Sequence, residues 1–82
     1  MKQKVIDILN EIRPEFDFRQ DVNFLDKCML DSLDIVNLVC ALEKEFNISI
    51  DGIDIVPENF ANIQSIINLL IKTKQNYESN FS

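Results

Sequence analysis

The chain has 82 residues, enough for one small domain, and its 14 acidic residues outnumber its 8 basic residues. The net charge of −6 disfavours nucleic acid and anionic membranes as partners. The chain contains no histidine, which removes the commonest general base and the commonest zinc ligand. Because so small a domain also has little depth for an enclosed pocket, we expect neither an enzyme nor a metal site.

Three further features favour a reduced, cytoplasmic protein without stable membrane insertion. Cys28 and Cys40 are too few for a zinc site or a secreted disulfide framework, so we predict two small core or half-buried side chains. Asp7 interrupts any apolar segment of a signal peptide. The longest apolar stretch, residues 66–71, is far shorter than the roughly 18 residues that span a bilayer.

Hydrophobic spacing predicts three helices. The first covers residues 2–12 and stops before Pro14, the second starts at residue 31 or 32 and ends at 46, and the third is capped by Asn62 and ends near 74. The apolar faces of these helices, with one loop phenylalanine, predict the core. Its members are Val5, Ile8, Leu9, Ile12, Phe24, Ile35, Leu38, Leu42, Phe46, Ile63, Ile66, Ile67 and Leu70.

The segments between the helices are less regular. Residues 14–31 lack a clear period but are rich in phenylalanine, which predicts a long, ordered loop anchored on the core. Residues 48–55 alternate around Asp51-Gly52, a pattern typical of a β-hairpin, although two short strands without a third partner are marginal among helices. Pro57 suits the start of a short helical turn that ends at Phe60.

The second helix is apolar on more than its core-facing side. Leu33, Val36 and Cys40 form a second apolar strip, about 100° away from the core-facing residues. In so small a domain, an additional apolar strip indicates a surface that meets a partner.

Ser32 stands at the head of this helix between Asp31 and Asp34. Serine and aspartate are common N-cap residues, so an ordinary cap is one interpretation. A hydroxyl at this position is also exposed, and a phosphate attached to it lies at the positive end of the helix dipole. Ser32 has no base of its own and cannot act as a catalyst, but another enzyme can modify it.

Three stretches of the sequence resemble the acyl carrier protein family: the Asp-Ser-Leu-Asp motif at 31–34 with its helix, the Ile-x-Ile at 48–50 and the Val-Pro-Glu-Asn-Phe at 56–60. The resemblance covers nearly the whole chain apart from the tail. It implies an all-α, four-helix bundle with three longer helices, one short helix and a long first loop. It therefore favours a loop and a short helix over the hairpin. The bundle is expected at residues 1–74, followed by a frayed polar tail at 75–82.

The same resemblance implies a carrier function. Ser32 is expected to bear a 4′-phosphopantetheine arm, transferred from coenzyme A by a phosphopantetheinyl transferase that also meets Asp31. The thiol of the arm holds an acyl or aminoacyl thioester for loading and transfer enzymes of a fatty-acid, polyketide, nonribosomal-peptide or D-alanyl-transfer pathway. The resemblance implies a non-catalytic monomer whose partner-docking residues are Leu33, Asp34, Val36, Asn37, Cys40 and Glu43.

The sequence departs from the family pattern in two places. Many members have a glycine three or four residues before the serine, where this chain has Met29 or Cys28. Asn37 and Lys44 also stand where glutamate is frequent, which favours a specialised or aminoacyl-type carrier. The alternative is a small helical protein–protein interaction domain with no prosthetic group, and modification of Ser32 distinguishes the two.

Overall fold

The computed structural model describes residues 1–79, and all the regular secondary structure in that part of the chain is helical, without a strand. Helix α1 is Lys2–Ile12, α2 is Ser32–Phe46 and α3 is Ile63–Ser79. Two single turns of 3₁₀ helix, Gly52–Asp54 and Pro57–Phe60, connect α2 to α3. The all-α class, the first two helices and the short helical turn from Pro57 to Phe60 are confirmed. This turn is 3₁₀ rather than α-helical, so the expected fourth helix of the bundle is confirmed only in part.

Helix α3 is longer than the sequence predicts. Its start is confirmed, because Asn62 Oδ1 accepts a hydrogen bond from the Ser65 N–H at 2.8 Å. Its predicted end near residue 74 is wrong, since the helix continues to Ser79. The last part of the expected tail, residues 80–82, lies outside the described residues.

The hairpin pattern at residues 48–55 does not produce strands. Asn47 ends α2 in the left-handed conformation, with φ of 53°. Asp51 then caps the first 3₁₀ turn, because its Oδ1 accepts from the Ile53 N–H at 3.2 Å and its carbonyl accepts from the Asp54 N–H at 2.9 Å. These local hydrogen bonds satisfy backbone groups of the segment without a partner strand. The loop and short helix implied by the family resemblance are therefore closer to the structure than the β-hairpin that the alternating pattern predicts.

The long first loop is ordered, as predicted, because its aromatic side chains reach the core. Phe18 and Phe24 are fully buried and meet edge to face, with ring centroids 5.0 Å apart. The Phe24 N–H donates to the Ala61 carbonyl at 2.6 Å, which ties the loop to the start of α3. This anchored loop leads directly into the first residue of α2.

Most of the predicted core is confirmed. The half-buried exceptions are Ile12, Phe46, Ile63 and Ile67. The core also contains apolar side chains that the predicted set omits, contributed by the loops and by the remaining helix positions. They are Ile6, Phe18, Met29, Leu30, Val39, Ile50, Phe60, Ala61 and Leu69.

The two cysteines are free, but both are exposed, so the prediction that they are buried or half-buried is wrong. Cys28 adopts the left-handed conformation, with φ of 57°. Cys28 therefore has a backbone conformation that glycine favours, although it is not glycine.

We expect Cys28→Gly to stabilise the protein by about 0.5–1 kcal/mol, because it removes the Cβ clash of the left-handed conformation. Urea denaturation measures the change. Cys40→Gly is the matched control, since Cys40 lies inside α2, where glycine is less favourable than cysteine by about 0.3 kcal/mol. Destabilisation by both variants would contradict this explanation.

Candidate functional site at the start of α2

Ser32 is the exposed first residue of α2, and its neighbours form the cap of the helix. Asp31 is the N-cap: its Oδ1 accepts from the Asp34 N–H at 2.9 Å, and Asp34 Oδ2 accepts from the Asp31 N–H at 3.1 Å. These reciprocal bonds form a capping box. Of the two N-cap candidates, Asp31 therefore takes the role, and the cap leaves the Ser32 hydroxyl unused.

Arg13, at the end of α1, joins this cap. Its Nε donates to Asp34 Oδ2 at 2.7 Å, its Nη2 to Asp31 Oδ2 at 3.0 Å, and its Nη1 to Glu15 Oε2 at 3.3 Å. The Asp34 backbone N–H and the charge of Arg13 lower the pKa of Asp31, and the bond to Asp34 raises the pKa of Arg13. Both carboxylates beside Ser32 are therefore held by one cation from another helix.

Two of the predicted docking residues make contacts within the fold. Asp34 is only 7% exposed, and its carboxylate is engaged by Arg13 and the Asp31 N–H, so it is not a surface contact. Glu43 is half-buried, and its Oε2 accepts from the Ile50 N–H at 2.8 Å, which holds the segment after α2. Both acids therefore stabilise the fold at positions where the sequence indicates solvated charge.

The apolar strip is exposed, as predicted. Leu33 is 68% exposed, Val36 is 54% exposed, and Cys40 and the neighbouring Asn37 are exposed as well. Exposed large apolar side chains that follow one helix face form a contiguous patch rather than scattered single residues.

The first 3₁₀ turn and the residue after it expose further apolar side chains, which the sequence pattern did not predict. Ile53 is 79% exposed, and Ile55 is exposed beside α2. The alternation at 48–55 assigns these residues to one strand face and gives no sign that Ile55 lies close to Val36 of α2. The sequence did contain one indication of this exposure: two short strands around a single Asp-Gly turn are too small to bury their own apolar side chains.

An open cleft lies beside Ser32. It has a volume of about 250 Å³, and apart from Ser32 its lining is apolar: Ile35, Val36, Ile55, Val56 and Pro57. An attached chain could leave the Ser32 oxygen and run along apolar walls on one side while remaining open to solvent on the other.

Comparison with known proteins identifies the family. The family described as "Phosphopantetheine attachment site" matches residues 2–70. The chain belongs to this family. It is also 34% identical, over 74 residues, to an acyl carrier protein of Wolinella succinogenes; the match covers 90% of this chain and 92% of that protein. No solved structure gives a significant match.

The prosthetic group of the family is phosphopantetheine, and the start of α2 is compatible with it. Ser32 offers an exposed hydroxyl, Arg13 offsets the negative charge of the two adjacent aspartates, and the cleft offers apolar walls. Among the side chains of residues 1–75, no three potential ligands cluster as a metal site. Within residues 1–79, no helix is long and apolar enough to cross a membrane.

Proposed function

We propose that this protein carries an acyl or aminoacyl group as a thioester on a 4′-phosphopantetheine arm attached to Ser32. The observation that carries the proposal is the position of Ser32, exposed at the first turn of α2 with a hydroxyl that the helix cap does not use. Once attached, the arm supplies the thiol that forms the thioester. The protein itself presents the cargo and leaves the chemistry to partner enzymes.

Attachment uses the Ser32 hydroxyl once, in the active site of a phosphopantetheinyl transferase. Ser32 Oγ forms a bond to the phosphorus that bears the pantetheine group of coenzyme A. The bond between this phosphorus and the oxygen of the nucleotide half breaks, and a base of the transferase takes the hydroxyl proton. A transferase base is needed because the chain has no histidine and because Arg13 engages both neighbouring carboxylates.

The partner surface that we propose consists of exposed residues on α2 and the adjoining turn. It keeps Leu33, Val36, Asn37 and Cys40 and adds Ile53 and Ile55, without Asp34 and Glu43. Apolar contacts supply affinity, whereas the net charge of −6 steers basic partners towards the protein and makes the encounter sensitive to salt.

The type of cargo is part of the proposal as well. Asn37 and Lys44 make the exposed side of α2 less acidic than a face built from glutamates, which favours partners that depend less on charge. We infer a specialised or aminoacyl-type carrier rather than a general fatty-acid carrier.

The direct test is intact-mass measurement after incubation with coenzyme A, Mg²⁺ and a phosphopantetheinyl transferase of broad specificity. We expect the whole population to gain the mass of one phosphopantetheine group, because the hydroxyl is exposed in the folded protein. An unchanged mass would contradict the proposal. It would favour the interaction domain, which the exposed apolar strip also permits.

A further inference from the structure

We propose that Arg13 is a positioning residue for attachment of the arm: it holds Asp31 in the orientation that the transferase recognises beside Ser32. The inference rests on the proposed function of Ser32. Arg13 is not part of the sequence motif around Ser32. It lies 18 residues before Asp31, at the end of a different helix.

The first argument is the way in which Asp31 is held. Its side chain is 62% exposed, and an exposed carboxylate ordinarily samples several rotamers. Here each oxygen has its own partner, because Oδ1 accepts from the Asp34 N–H and Oδ2 accepts from Arg13 Nη2 at 3.0 Å. Removal of Arg13 leaves Oδ2 without its side-chain partner, so only backbone N–H groups at the start of α2 hold the carboxylate.

The second argument is that Arg13 is itself fixed. Its backbone N–H donates to the Leu9 carbonyl at 2.9 Å, so the residue continues directly from α1. Its Nε lies 2.7 Å from the buried Asp34 carboxylate, and its Nη1 pairs with Glu15. A planar guanidinium held at three nitrogens presents its donor to Asp31 in one geometry.

The third argument is charge. Asp31, Asp34 and Glu15 place three negative charges around the start of α2, and Arg13 contacts all three. A transferase brings the polyanionic coenzyme A to this surface, so the cation lowers the repulsion that opposes the encounter. Orientation of Asp31 and local charge both affect binding, and neither changes the bond-forming step at Ser32 Oγ.

Steady-state kinetics of the transferase, with the carrier protein as the varied substrate and coenzyme A saturating, test the inference. We expect Arg13→Gln to raise the KM for the carrier about tenfold and to leave kcat within about twofold of the wild-type value. Arg19→Gln is the matched control, because Arg19 is an exposed arginine of the loop that follows α1, and it pairs with Asp17. It should retain the wild-type KM.

Circular dichroism in the assay buffer establishes that each variant is folded. If Arg13→Gln is unfolded, Arg13→Lys decides: it keeps a cation for Asp34 but lacks the second arm for Asp31, so it should fold and still show a raised KM. The inference would be overturned if a folded Arg13 variant kept the wild-type KM, or if only its kcat fell. It would also be overturned if Arg19→Gln raised the KM as much as Arg13→Gln does. An unmodified wild-type chain would instead refute the proposed function on which it rests.

Discussion

Replacement of Ser32 by alanine is expected to abolish attachment of the arm completely and to change the free energy of unfolding by less than about 0.5 kcal/mol. The two effects separate because Asp31, not Ser32, accepts the bond from the Asp34 N–H that caps α2. Alanine is also a better helix former than serine at an exposed helical position. Intact mass after incubation with the transferase and urea denaturation measure the two quantities.

Ser49→Ala is the control for this experiment, since Ser49 is likewise exposed but lies after α2, outside a helix. We expect it to gain one arm, as the wild type does. An arm on the Ser32→Ala protein would show that another residue is the attachment point. Loss of stability by several kcal/mol would show that the hydroxyl has a structural role that the capping box does not require.

The capping box explains why the start of the site could be predicted from the sequence, whereas the burial of Asp34 could not. Asp31, Ser32 and Asp34 lie within four positions, so the local pattern is sufficient to predict a helix start with an exposed hydroxyl. The burial of Asp34 depends on Arg13, 21 residues earlier. Helical periodicity contains no information about a cation that arrives from another helix.

Long-range contacts also account for the other errors. Glu43 bonds to the Ile50 N–H because the chain turns back after Asn47, and the alternation at 48–55 gives no sign of this turn. Cys28 shows a related effect: the turn before α2 keeps a positive φ although its residue is not glycine. In each case the fold fixes the backbone, and the local residue preference is a weaker influence.

The position of Ser32 finally depends on the loop that precedes it. Within this loop, Phe24 is fully buried against Phe18, its N–H donates to the Ala61 carbonyl, and its own carbonyl accepts from the Met29 N–H at 2.8 Å. Phe24 thus connects the start of α3 to the last residues before Asp31. The loop is held by a core side chain rather than by its own secondary structure.

We therefore expect Phe24→Ala to lower the free energy of unfolding by about 3–5 kcal/mol, the cost of removing a fully buried phenylalanine. A domain of this length has a total of only about 4–12 kcal/mol, so Phe24→Ala should remove a large share of the stability, and the rate of arm attachment should fall in proportion to any loss of folded protein. Urea denaturation and the initial rate of mass gain test both statements.

Phe16→Ala is the matched control, because Phe16 is half-buried and its removal should cost less than about 2 kcal/mol. If the two variants were equally stable, Phe24 would not be the anchor of the loop, and the position of Ser32 would have to depend on the capping box and Arg13 alone.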